Sequence, residues 1–142
     1  MKIWHMVAGA LVACALIDGA GADPLPMDAP IQLGNVETVC TGIGSGKDDP
    51  RWAAYPIRVE FSNAGAQYLS GAHVKLVDVA RKTLADFDCS GSWVLFKMAR
   101  GTYTVTATIT GENAGPRSAT FQPPVSGQKR VVLQFKDIAP NQ

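Results

Sequence analysis

The chain has 142 residues, 13 Lys+Arg against 12 Asp+Glu for a formal net charge of +1, and 46% hydrophobic residues. So balanced a charge carries neither the basic footprint of a nucleic-acid binder nor a polybasic membrane patch. Two histidines and three cysteines are a thin supply for a nitrogen- and sulfur-ligated metal centre.

The first residues, MKIWHMVAGALVACALIDGAGADP, read as an export signal. Lys2 supplies a positive charge, Val7 to Ile17 an apolar core, and Ala20-Gly21-Ala22 the small residues a signal peptidase needs. Cleavage is expected after Ala22, which places the protein in a bacterial periplasm or outside the cell. The apolar run is shorter than the roughly 20 residues that span a bilayer. Inside it, Leu11 to Cys14 (LVAC) matches a lipobox, in which Cys14 would carry lipid; its early position and the apolar residues that follow favour simple cleavage. No membrane association is expected unless Cys14 is lipidated.

Loss of residues 1–22 removes Lys2 and Asp18 and leaves the net charge at +1, with 142 less 22, or 120, residues for one domain. Cys40 and Cys89 remain as an even pair in an oxidising compartment, where a disulfide between them is the simplest outcome. Residues 23–30, DPLPMDAP, hold three prolines and read as an extended, poorly packed lead-in. Residues 31–138 are expected to form the folded domain and 139–142 a short tail.

The stretch VCTGIGSGKDDPRW, Val39 to Trp52, invites a phosphate-loop reading that its spacing defeats. A P-loop needs G-x-x-x-x-G-K-[ST], but Thr41 stands where the first glycine belongs, and Lys47 is followed by Asp48. Asp48 and Asp49 are neighbours on a loop, so they point apart and solvate independently, which disfavours a paired acid and base.

From Ile31 the dominant period is two, the mark of strands with one buried face. In TYTVTATIT, Tyr103, Val105, Ala107 and Ile109 point one way and five threonines the other. The same alternation turns Ile57, Val59 and Phe61 inward with Arg58 and Glu60 outward, then Val94, Phe96 and Met98, Ala119 and Phe121, and Val131, Leu133 and Phe135 inward. Glycine- and proline-rich turns separate these runs, and no amphipathic helix follows residue 22. The expected fold is an all-β antiparallel sandwich of seven or eight strands, near 31–40, 55–62, 72–79, 84–88, 93–99, 102–110, 117–122 and 129–136.

DFDCSGS opens like a calcium loop, with Asp86, Asp88, Ser90 and Gly91 at positions 1, 3, 5 and 6, but the glutamate required at position 12 is Lys97. A hairpin pinned by the disulfide is the better reading. His73 is the one histidine after residue 22, too few for zinc or copper, and it lies in a strand pattern with no nucleophile motif beside it. Trp52, Tyr55, Tyr68 and Trp93 fall in or beside loops, either as a binding patch or as caps on the open ends of the sandwich.

The block from Tyr55 to Gly111 resembles the carboxypeptidase regulatory-like domains, transthyretin-like sandwiches with a G-x-x-V-x-L-x-D strand and an L-P-P-G-x-Y-x-V-x-A turn and strand. The matching residues are Gly71, Val74, Leu76 and Asp78, then Gly101, Tyr103, Val105 and Ala107, closing at Gly111. Small exported members carry a G-G-x-G loop and a G-P-W element, to which Gly42, Gly44 and Gly91-Ser92-Trp93 are similar. Ala99 and Arg100 replace the two prolines, and the relatives' acidic and hydrophobic loop residues become KDDPRWAA. The resemblance implies a transthyretin-like, non-catalytic binding or accessory module without a cofactor. Its enzymatic relatives need two histidines.

A Cys40–Cys89 bridge would bring the glycine loop beside the SGSW turn. Gly42, Gly44, Gly46, Trp52 and Trp93 there make the candidate binding surface. The expected partner is a protein or glycan of the cell envelope.

Overall fold

The structure, a computed structural model, describes residues 23–141; the expected signal segment, its cleavage site at Ala22 and Cys14 lie outside the described residues. Alternating hydrophobicity produces nine strands: β1 (Ile31–Leu33), β2 (Val36–Thr41), β3 (Ile57–Asn63), β4 (Ala72–Asp78), β5 (Thr83–Cys89), β6 (Trp93–Lys97), β7 (Tyr103–Ile109), β8 (Arg117–Phe121) and β9 (Lys129–Phe135). They form a five-stranded sheet in the order β1-β2-β6-β3-β9 and a four-stranded sheet in the order β5-β4-β7-β8. The all-β sandwich expected from the period-two pattern is therefore present.

Two details depart from expectation. The run 31–40 is not one strand: Gly34, with φ +58, turns it back so that β1 pairs antiparallel with β2. The sandwich is also not wholly antiparallel, since β9 lies parallel to β3 through all seven residues from Ile57↔Lys129 to Asn63↔Phe135. A parallel pair needs a crossover rather than a hairpin, and here the whole chain between β3 and β9 supplies it.

Ile57, Val59 and Phe61, with Val94 and Phe96, meet Val74, Leu76, Phe87 and Val105 between the sheets, all buried. Phe87 and Phe96 approach edge to face across this layer, centroids 6.2 Å apart. The glycine turn before β7 works as a folding element: Gly101 has φ +152, and the Tyr103 hydroxyl donates to the Ala99 carbonyl at 2.7 Å.

Cys40 on β2 and Cys89 on β5 are joined by a disulfide that ties one sheet to the other. The segment Ser90–Ser92 is consequently an arch between sheets, which corrects the hairpin expected there, because β5 and β6 belong to different sheets. The lead-in is likewise not a loose tether. Leu25 donates its backbone N–H to the Asp88 carbonyl at 2.9 Å and Asp28 to the Cys40 carbonyl at 2.8 Å. Leu25 and Met27 pack on the core, with the Met27 sulfur 3.5 Å from Cys40 Sγ. The prolines keep this strap extended while the apolar residues between them dock it across the bridged edge.

The bridge closes a sequence separation of 49 residues, for which loop-closure entropy alone predicts a loss of about 4 kcal/mol on its removal. Urea unfolding of the Cys40→Ala/Cys89→Ala double variant against the oxidised protein is expected to show that loss; equal midpoints would show that the strap and core hold the edge without it.

Candidate functional site

The glycine loop folds into two short 3-10 turns, Gly44–Asp48 and Pro50–Ala54. Asp49 links them, accepting from the Arg51 backbone N–H at 2.9 Å and pairing with its guanidinium at 2.7 Å. Those Arg51 hydrogen bonds hold the Asp49 carboxyl below its ordinary value of 3.8. The loop does not open toward a ligand. It lies down on the outer face of the five-stranded sheet and drives Trp52 and Tyr55 onto Val39 and Leu95, where all four are buried. The Trp52 indole N–H donates to the Gly46 carbonyl at 2.7 Å, and Gln128 donates to the carbonyls of Trp52 and Tyr55 at 2.9 and 3.0 Å.

The glycines in this region serve close packing. A methyl at Gly42, which has φ +99, would sit 2.7 Å from the Trp93 backbone nitrogen. At Gly46 it would run into the Asp28 carboxylate, which accepts the Thr41 hydroxyl at 2.6 Å. At Gly91 it would overlap the Thr41 carbonyl oxygen. Gly44, with φ +59, has open space around it and is required only by the turn. The structure thus sets Gly42 against Trp93 and Gly46 against Asp28, whose backbone N–H donates to the Cys40 carbonyl, and leaves Trp52 4% exposed, inside the protein rather than on a contact surface.

A charged cluster that the alternation pattern concealed occupies the rest of this face. Glu60 points outward from β3, yet it is fully buried. Its carboxylate accepts from Arg58 Nε at 3.0 Å, from the Tyr68 hydroxyl at 2.8 Å and from Arg130 through two guanidinium nitrogens, one of them at 2.9 Å. Arg58 also stacks over the Trp93 ring, 4.4 Å from its centroid, and Tyr68 meets that ring edge-on at 6.0 Å. Burial pushes the Glu60 carboxyl up, but the hydrogen bonds from Arg130 and Tyr68 and the two arginine charges outweigh it, leaving the group below its ordinary 4.5. Arg58 and Glu60 are visible in the sequence as an outward pair; Arg130, 70 residues away, joins them only because β9 lies beside β3.

The outer face of the four-stranded sheet carries different chemistry. His73 on β4 has Nδ1 2.8 Å from Asp88 Oδ1 and Nε2 2.8 Å from Asp86 Oδ1. Both ring nitrogens lie at hydrogen-bond distance from carboxylates, so the ring is fully occupied by its neighbours on β5. The two acids of the calcium-like motif are spent on this histidine. Beyond it the face is lined with hydroxyls: Thr104 and Thr120 share a hydrogen bond of 2.8 Å, Thr106 and Ser118 one of 2.7 Å. Each such pair keeps one O–H free to donate outward.

The three threonines border a shallow concavity of about 650 Å³, whose lining includes Lys75, Val77, Val79 and Arg81. Thr102 is shared with an adjoining one of about 270 Å³ that includes Arg100 and Val125. No protein-family model matches the chain, and comparison with curated proteins yields no match.

Two outcomes are expected from this geometry. Gly91→Ala should cost more than about 2 kcal/mol because backbone cannot yield, whereas Gly46→Ala should cost about 1 kcal/mol because the Asp28 side chain can swing away; thermal unfolding of both variants ranks them. Glu60→Gln should lose about 2 kcal/mol at pH 7. A depressed carboxyl stabilises above its unfolded value, so that difference should shrink as the pH falls below 4.5. Urea midpoints of both proteins from pH 7 to pH 3 test this, and a constant difference would mean that ionisation of the Glu60 carboxyl is not what stabilises the cluster.

Proposed function

We propose that the chain is a non-catalytic, exported β-sandwich of the transthyretin-like, carboxypeptidase regulatory-like type, acting as a binding or accessory module of the cell envelope. The observation that carries this reading is an asymmetry between the two outer faces. The five-stranded sheet covers its face with its own loop and spends its central carboxylate on Arg58, Arg130 and Tyr68. The four-stranded sheet leaves a broad open face, hydroxyl-lined and bordered by Lys75 and Arg81.

Contact is therefore assigned to the four-stranded sheet rather than to the glycine loop. Support for export comes from the leader-like first residues and from the buried Cys40–Cys89 disulfide, which an oxidising compartment maintains. Support for the family comes from the Gly101-Thr102-Tyr103 turn, with its tyrosine bonded back to Ala99.

Intact mass of the native protein, taken separately from soluble and membrane fractions, tests the assignment. The expected species is soluble, begins at Asp23 and is two hydrogens lighter than its reduced form. A membrane-bound species beginning at a lipid-modified Cys14 would instead make the protein an anchored structural subunit of an envelope assembly, the role that LVAC would serve. A reduced species beginning at Met1 would overturn export itself.

A further inference from the structure

The net charge of +1 conceals a segregation along the sandwich. At the bridged edge the strap and β5 gather Asp23, Asp28 and Asp88: Asp23 lends its carbonyl to Asp88 and Asp28 binds Thr41. The β4–β5 turn and the turn before β7 lie toward the opposite end, where Arg81 and Arg100 line the two adjoining concavities; Lys75, midway along β4 and registered opposite Asp86, lines the larger one. Among the described residues, none of these three cations has a carboxylate within ion-pair distance. The one acid lining this area, Asp78, turns its Oδ1 to the backbone N–H groups of Ala80 and Lys82 at 2.9 and 3.0 Å.

The same end carries the two most exposed large hydrophobic residues of the described chain, Val79 at 76% and Val125 at 85%. They stand on two different loops, Val79 in the turn after β4 lining the larger concavity and Val125 in the connection between β8 and β9 lining the smaller, and the two concavities share Thr102. Neither supports the core. Two apolar tips held beside unpaired cations and free hydroxyl donors match the layering of a membrane interface, in which apolar groups enter the acyl boundary while Lys and Arg meet headgroup phosphates.

We propose that this end of the sandwich docks on an anionic phospholipid surface, Val79 and Val125 entering the interface and Lys75, Arg81 and Arg100 contacting headgroup phosphates. The proposal rests on the reading that the open side of the four-stranded sheet is the contact surface, and it names the partner. A nucleic acid fits less well, because none of the residues lining the two concavities is aromatic and the exposed Tyr68 lies on the other sheet's side. The absence of an aromatic ring here also removes the stacking platform that would favour a neutral sugar. Because the attraction combines charge with shallow insertion, it is expected to need both anionic lipid and low ionic strength.

The test is co-sedimentation of the natively processed protein, carrying Cys14→Ser so that no lipid is attached and with its N-terminus confirmed by mass, with vesicles of phosphatidylcholine alone or mixed with phosphatidylglycerol. Binding to the mixed vesicles only, weakened by added salt, is expected. Arg81→Gln/Arg100→Gln should weaken it about 30-fold and Val79→Ser/Val125→Ser about tenfold, with thermal midpoints kept. Arg51→Gln, in the glycine loop, should leave it unchanged, and inorganic phosphate should displace the protein no better than chloride at equal ionic strength.

Equal binding to both vesicle types, or binding indifferent to the four substitutions, overturns the proposal. Specific displacement by phosphate assigns the depression to a free anion and does the same. If vesicles fail but an envelope polysaccharide co-sediments with the protein and the same substitutions abolish it, the contact surface stands and its lipid assignment falls. Loss of neither lipid nor polysaccharide binding on substitution would remove the contact surface as well.

Discussion

The Cys40–Cys89 bridge is the constraint around which one end of this protein is built. It joins the edge strand of the four-stranded sheet to β2 of the other, and it fixes the distance across which the Ser90–Ser92 arch must pass. Gly91 then has to tolerate the Thr41 carbonyl, Gly42 the Trp93 backbone, and Gly46 the carboxylate of Asp28. Two glycines of what looks like a ligand loop when read in line, Gly42 and Gly46, and Gly91 of the arch are places where two pieces of backbone, or backbone and a capping carboxylate, press together. The strap of residues 23–28 completes the closure by pairing with both bridged strands and covering the sulfurs with Met27.

The two sheets solve the problem of their second face in opposite ways. The five-stranded sheet has apolar side chains on its outer side at Val39 and Leu95, which must be covered, and the 44–54 segment covers them with Trp52 and Tyr55. Farther along the same face, Glu60 could not be buried alone, since desolvating an unpaired carboxylate is prohibitive. Two arginines, a tyrosine hydroxyl and the cation-stacked Trp93 ring make its burial tolerable. The four-stranded sheet needs no cover, because its outer positions on β7 and β8 are threonines and serine that bond to each other across the strands and remain wettable. Openness on that side follows directly from its composition.

Electrostatics follow the same division. His73 and its two aspartates form a closed local system on β4 and β5, and Glu60 and its partners form another on the opposite side. Among the described residues, Arg81 and Arg100 in turns at the far end of the four-stranded sheet, and Lys75 midway along β4, are left without a carboxylate at ion-pair distance. A balanced total therefore says little about the field at any one surface, because pairing in the fold cancels some charges and spares others.

The sequence by itself determined the strands and their inward residues, since a period of two is a local property that each segment carries regardless of its neighbours. It also determined the cysteine pair and the tyrosine turn at Gly101, whose hydroxyl finds its acceptor four residues away. Tertiary structure alone decided which sheet each strand joins: that β9 runs parallel to β3, that β5 and β6 part company, and that 31–40 folds back on itself. From those choices came the candidate sites, because Glu60 meets Arg130 and His73 meets Asp86 and Asp88 only across strands that the fold sets side by side. Alternation fixes which way a side chain points; it does not say what the other chain segments will place in front of it.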